Sequence, residues 1–201
     1  MLRIHASARG LIFDMDGTLA DTMPIHFKAW SAAGRTHGFV YPEEMFYANA
    51  GTPSADIVRI VNRTFGKSLD PEFISREKEA AFLSMIDVVK PLDPIFDIVK
   101  RCHGRIPMAI GTGEYRIVAD RVIQAIGADR YIPIVVYADE VSRPKPDPET
   151  FLKCAERMGV APEFCEVFED GEPGLEAARR AGMMRTDVRE ALRTASGTRS
   201  A

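Results

Sequence analysis

Two hydrophobic rhythms alternate along the chain. Short apolar runs bounded by glycine or polar residues occur at 10–13, 108–110, 134–137 and 165–168, with 186–188 as a short last member. They are continuous rather than alternating, as expected of strands buried on both faces of a parallel sheet. Between them, apolar positions recur every three to four residues, which predicts helices over 93–102, 114–126, 148–158 and 174–181. The last three end at Gly127, Gly159 and Gly182, where a left-handed residue can close a helix. The stretch 24–90 follows a different rule. It has no strand run and reads as four helices, 26–33, 42–48, 54–63 and 71–89, separated by Gly- and Pro-containing breaks.

Strands alternating with helices predict an α/β fold, with a Rossmann-like three-layer α/β/α core around a parallel sheet. An all-helical block between the first strand and the rest predicts an inserted α-helical cap domain. The expected division is a catalytic core of residues 1–22 and 91–190, a cap of 23–90, and a flexible polar tail of 191–201. Both crossings carry a proline, Pro24 on entry and Pro91 and Pro94 on exit.

Composition narrows the function without naming it. Of 201 residues, 46% are hydrophobic and 27% charged, which is ordinary for a globular protein able to bury a core. A net charge of −3 supplies no basic field, so neither nucleic acid nor a membrane surface is an expected partner. No apolar run approaches the roughly 20 residues that span a bilayer, and no secretory leader is recognisable, so a cytoplasmic protein is expected. A monomer or weak homo-oligomer is the expected state. Cys102, Cys154 and Cys165 are odd in number and lack metal-ligand spacing, so they read as ordinary thiols, with Cys165 in a strand.

The chemistry is concentrated just after the strands. Asp14 and Asp16 follow the first one, at the end of a parallel sheet where ligands bind. Two carboxylates held that close call for a cation, and Mg2+ is the natural one: it takes hard oxygen ligands from one or two carboxylates and leaves positions for water and phosphate. A calcium loop opening at Asp14 would need its glutamate where Ile25 stands. After the second strand, Gly111-Thr112-Gly113 offers a hydroxyl and backbone N–H groups to an anion. Read alone it is equally a plain tight turn, and Arg116 stands where a dinucleotide fingerprint needs a glycine. After the third strand, Lys145 sits among Pro144, Pro146 and Pro148, either as a solvated loop residue or as a charge held in place. After the fourth, Glu169 and Asp170 precede a helix, as metal ligands or as an acidic N-cap.

The four motifs in this order resemble the haloacid dehalogenase superfamily over nearly the whole chain. The extension Asp21, Thr22, His26, Phe27, Lys28, Ala29 and Trp30 resembles its β-phosphoglucomutase-like branch. Within that branch, the cap and the phrases around 104–109, 155–160 and 167–170 are similar to bacterial fructose-1-phosphate and 6-phosphogluconate phosphatases. The resemblance implies phosphoryl transfer through an aspartyl-phosphate on Asp14, with Asp16 as general acid and base. It further implies that Thr112, Gly113 and Lys145 bind the phosphoryl group. Asp14, the backbone carbonyl of Asp16, and Asp170 would hold Mg2+, with Glu169 a direct or water-mediated partner. Many relatives carry a small polar residue where Gly171 stands, so one supporting hydrogen bond is expected to be missing. In the cap, the resemblance points to Gly51 and Ser54 as substrate residues and to His26, near the hinge, either as a residue that helps position the acid/base or as a packed helix residue. Ser54 occupies the point where the sugar-phosphate mutases of this branch place an arginine, which favours hydrolysis of a small sugar phosphate. The alternatives are a β-phosphoglucomutase and a non-catalytic phosphometabolite-binding protein.

Overall fold

The computed structural model describes residues 2–50 and 52–197. By contact density the chain divides into two compact units, Met1–Asp21 with Lys90–Ala201, and Thr22–Val89.

The first unit is built on five strands: β1 (Gly10–Phe13), β2 (Met108–Gly111), β3 (Ile134–Val136), β4 (Cys165–Glu169) and β5 (Met184–Asp187). Every pairing is parallel and the spatial order is β3-β2-β1-β4-β5, so the first strand is central. Phe13 lies opposite Ile110 on one side and Phe168 on the other. The carboxyl ends of β1, β2 and β4 are therefore level. Leu11, Ile12 and Phe13 have no exposed surface, which explains why the strand is apolar at successive positions.

Helices α5 (Asp93–Cys102), α6 (Arg116–Ala125), α7 (Glu149–Met158), α8 (Glu172–Arg180) and α9 (Arg189–Gly197) complete this unit. α7 places Phe151, Cys154 and Ala155 on one face, where they pack with Ile12, Ala109, Val136 and Val167 of the sheet and Ala177 and Ala178 of α8. At Gly111 the approach is close: a β-carbon there would sit 3.1 Å from the Phe151 ring and the Cys154 sulfur. All three cysteines are free and buried, and Cys165 opens β4. Burial pushes the Cys154 thiol up to about 12, so it is inert.

The second unit contains α1 (Met23–His37), α2 (Glu43–Ala48), α3 (Ser54–Phe65) and α4 (Pro71–Leu83). Its core gathers Trp30, Tyr41, Phe46, Ile57, Val58, Val61 and Ile74. Asp70 caps α4 by accepting from the N–H groups of Glu72 and Phe73 at 2.9 and 3.1 Å.

Several boundaries shift by one to three residues, among them α6, α8 and β5, which spans Met184–Asp187 rather than 186–188, and three differ by more. α1 runs through Gly34 to His37 instead of stopping at residue 33, and closes at Gly38 with φ 69°; position 34 is glycine because a β-carbon there would lie 2.5 Å from the Phe39 carbonyl oxygen. α4 ends at Leu83, where the Ser84 hydroxyl takes the carbonyl of Ala81, and a 3-10 turn at Ile86–Val88 follows. The expected tail is the largest correction. Residues 189–197 form α9, started by the buried Val188 and by Asp187, which accepts from the Arg189 amide at 3.0 Å. Residues 198–201 lie outside the described residues.

Where the two units join in sequence, the first unit ties its own two ends together. The Asp21 amide donates to the Lys90 carbonyl and the Leu92 amide to the Leu19 carbonyl, each at 2.9 Å. No helix among the described residues is long and apolar enough to cross a membrane.

Candidate active site

The loops that leave β1, β2 and β4 meet where the strand order puts a first strand between two later ones. Such a crevice outside the carboxyl ends of a parallel sheet is where ligands bind. Asp14 is the first residue past β1, and its amide donates to the Phe168 carbonyl at 3.0 Å, so the loop starts from a fixed point. Gly17 follows with φ 81°, a left-handed conformation that side chains resist. A β-carbon at Gly17 would also collide with the Asp170 carboxylate.

Lys145 arrives from the loop after β3, the edge strand, and crosses β2 to reach the centre. Its Nζ lies 2.6 Å from Asp14 Oδ1 and 2.8 Å from Glu169 Oε2, and 4.7 Å from the centre of the Phe151 ring. Burial alone would lower its pKa, but the two carboxylates outweigh that and hold it above its ordinary value. The ammonium is therefore a permanent charge. The peptide bond from Lys145 to Pro146 is cis.

Glu169 closes β4 and is buried. Its Oε1 accepts from the amides of Asp170 and Gly171 at 3.1 and 2.9 Å. Gly171 contributes this backbone N–H and has no side chain to add a further bond. Gly174 leaves the space that the Glu169 carboxylate fills, since a β-carbon there would overlap it. Thr18 escapes sequence reasoning: its hydroxyl donates to Asp170 Oδ1 at 2.7 Å. The signal was present, because a hydroxyl directly follows Asp16-Gly17, but nothing in the sequence says which distant carboxylate it meets.

Asp14, Glu169 and Asp170 each offer an oxygen within 4.8 Å of the others. Three carboxylates face one ammonium, leaving an excess of about two negative charges that a divalent cation matches. The strain shows in the titration. Asp14 is raised well above its ordinary value, first by burial and then by Glu169, against the pull of Lys145. Asp170 is pushed up to about 6, again by burial first and Glu169 second, with the Thr18 hydroxyl opposing. The donor set fits Mg2+: hard oxygens only, on one side of a buried loop cluster. Asp16 does not place its side chain in this group; its carboxylate lies within 4.8 Å of that of Glu114.

Thr112 is buried and follows β2, with its amide on the Val136 carbonyl at 3.0 Å. Its Oγ1 accepts from the Glu114 amide at 3.0 Å, which leaves the hydroxyl proton to donate elsewhere. Gly113 is exposed, with open space where a side chain would stand. In the second unit, His26 is buried and stacks on Phe82 at 4.1 Å between ring centres. Ser54 opens α3, with its hydroxyl 3.4 Å from Lys78 Nζ. Gly51 lies outside the described residues.

The family profile of the haloacid dehalogenase-like hydrolases matches residues 8–182. The chain is 46% identical over 181 residues to fructose-1-phosphate phosphatase YqaB of Escherichia coli (strain K12), covering 90% of this chain and 96% of that one. It is 31% identical over 179 residues to a phosphorylated carbohydrates phosphatase of Thermotoga maritima, covering 87% and 82%. Among solved structures, β-phosphoglucomutase from Clostridium difficile superposes with a TM-score of 0.78 at 20% identity, covering 90% of this chain and 84% of that one. At that identity the likeness concerns the fold alone.

Proposed function

The chain belongs to the haloacid dehalogenase-like hydrolases and is a sugar phosphatase of that family, and from this premise we propose a substrate and a mechanism. The substrate is a small sugar phosphate of the fructose 1-phosphate or 6-phosphogluconate type, hydrolysed through an aspartyl-phosphate on Asp14. The observation that carries the reading is the single ammonium of Lys145 held between Asp14 and Glu169.

In the first half-reaction a carboxylate oxygen of Asp14 attacks phosphorus and the bond to the sugar oxygen breaks. Asp16 gives its proton to that leaving oxygen. In the second, Asp16 takes a proton from water, the water oxygen attacks phosphorus, and Asp14 leaves as carboxylate with inorganic phosphate. Lys145 neutralises charge on the transferring group throughout, and the Thr112 hydroxyl and Gly113 N–H donate to its oxygens. Asp14, the Asp16 carbonyl and Asp170 would hold Mg2+, which supplies charge neutralisation for the nucleophile and phosphate together. Glu169, whose oxygens already accept from Lys145 and two amides, would be a direct or water-mediated partner of the cation and also acts on this site through Lys145. In the cap, His26, Gly51 and Ser54 are assigned to substrate selection.

The test is release of inorganic phosphate with Mg2+ from fructose 1-phosphate, 6-phosphogluconate, glucose 1-phosphate and glucose 6-phosphate, with Asp14→Asn as the blank. Release by the wild type alone is the expected result. Formation of glucose 6-phosphate from β-glucose 1-phosphate would identify a mutase instead, and binding without turnover would identify a sensor.

A further inference from the structure

The loop that carries Lys145 starts at an edge strand and must deliver an ammonium over β2 to the centre of the sheet. It is poorly equipped to hold itself there. Pro144, Pro146 and Pro148 have no N–H to bond with, so the few remaining amides must fix the loop. Two of them go to one side chain. The Ser142 amide donates to Glu149 Oε1 and Oε2 at 3.0 and 3.1 Å, and the Arg143 amide to Oε2 at 3.0 Å. Within the loop, the Asp147 amide reaches the Pro144 carbonyl at 3.0 Å and the Glu149 amide reaches Asp147 Oδ1 at 3.1 Å.

Glu149 is also the first residue of α7, where any carboxylate is favoured by the helix dipole. What sets it apart is the choice of partners. The amides it accepts from belong to Ser142 and Arg143, seven and six residues upstream, rather than to the first turn of its own helix. The clasp thus runs from the start of the loop to its end, with Lys145 between. α7 in turn is anchored through Phe151, which lies under the Lys145 ammonium.

We propose that Glu149 is a positioning residue for phosphoryl transfer, one that closes the loop of residues 142–149 on itself and so fixes Lys145 against Asp14 and Glu169. The proposal rests on the role given to Lys145 above. The carboxyl group is held down to about 2, first by its bond with Lys153 and then by the two amides, so the clasp is ionised at any working pH. The Lys153 bond, at 2.8 Å, strengthens Glu149, and the same ammonium donates to the Glu140 carbonyl just ahead of the loop, but it takes neither of the Ser142 and Arg143 amides.

Four variants decide the matter: Glu149→Ala, Glu149→Gln, Lys153→Gln and Lys145→Met. Each is assayed for kcat and KM on fructose 1-phosphate with Mg2+, for inhibition by orthovanadate, and for melting temperature. Glu149→Ala is expected to lower kcat by roughly tenfold or more, since a shift of about 1 Å at a reacting group costs up to about a hundredfold. KM should stay within about twofold, and vanadate inhibition should weaken in step with kcat. Glu149→Gln keeps an acceptor oxygen and should restore most of the rate. Lys153→Gln breaks the ion pair without freeing the loop amides and should keep kcat. Wild-type kcat in Glu149→Ala beside an inactive Lys145→Met would overturn the proposal. So would equal losses in Glu149→Ala and Lys153→Gln that track a lower melting temperature. If Glu149→Ala does not fold, Glu149→Asp, whose carboxylate is one methylene short of the Ser142 and Arg143 amides, is read in its place: a fall in kcat and in vanadate inhibition without a change in melting temperature supports the proposal, and wild-type kcat overturns it. Full activity in Lys145→Met would instead refute the role given to Lys145 itself.

Discussion

Lys145 Nζ stands 2.6 Å from Asp14 Oδ1, although 131 positions separate the two residues in the chain. The same ammonium is 2.8 Å from Glu169 Oε2, so one cation serves two buried carboxylates that arrive on different strands. Lys145→Met is expected to lower kcat by about 10² to 10³ and to destabilise the metal-free protein by roughly 3–5 kcal/mol, because it leaves two buried carboxylates without their partner. Urea unfolding in EDTA, beside the phosphate-release assay, checks both.

Asp14→Asn should separate chemistry from folding. The carboxylate is disfavoured in place by burial and by Glu169, and the amide keeps its shape without its charge. Turnover is expected to vanish while the melting temperature in EDTA equals or exceeds that of the wild type. Retained turnover, or a collapse of the far-ultraviolet circular dichroism, would refute the assignment.

Gly174→Ala adds a methyl group where the Glu169 carboxylate now lies. Glu169 must shift, and with it the donors on both of its oxygens. A loss of about 1–3 kcal/mol in stability is expected, typical of overpacking, together with a lower kcat. Gly182→Ala is the control. It also sits in the first unit, at φ 70° but with open space around a built β-carbon, so its cost should fall on stability alone.

Asp170 gives a dependence on pH. Its folded value is raised to about 6, against about 3.9 in an unfolded chain. A raised value means the folded state holds the proton more tightly, so its contribution to stability is complete below about pH 4 and is lost as pH rises through 6. In EDTA, the urea midpoint of the wild type relative to that of Asp170→Asn should therefore fall between pH 4 and 7. Added Mg2+ should cancel the fall in the wild type only, since a bound cation favours the ionised carboxylate. A midpoint difference that stays flat across this range in EDTA would refute the account.

The strands could be read from the sequence because burial on both faces leaves an unambiguous signal, and Leu11 to Phe13 shows it plainly. The site could be read to the extent that it is local. Asp14 and Asp16 are two apart, and Glu169 and Asp170 adjoin, so loop position alone made them candidates. Long-range pairings were not legible. Nothing around Thr18 announces Asp170, and nothing around Glu169 shows that Lys145 takes one of its oxygens and backbone amides the other. The Arg189–Gly197 helix was missed for the opposite reason: its polar composition matches that of a loose end, the burial of Val188 that starts it depends on tertiary contacts, and the Asp187 cap, though local, is a single acceptor two residues from the amide it takes.

The paired hydrogen bonds between 19–21 and 90–92 bear on how the chain finds its fold. β1 and β2 are neighbours in the sheet, yet all of residues 22–89 intervene between that junction's two sides. Bringing such distant segments together costs chain entropy that grows with the length of the intervening coil. A helical insert with its own apolar centre, rich in local contacts, can form early and quickly. Once it has, the search that joins β1 to β2 is across a short gap between anchored ends instead of a long flexible one.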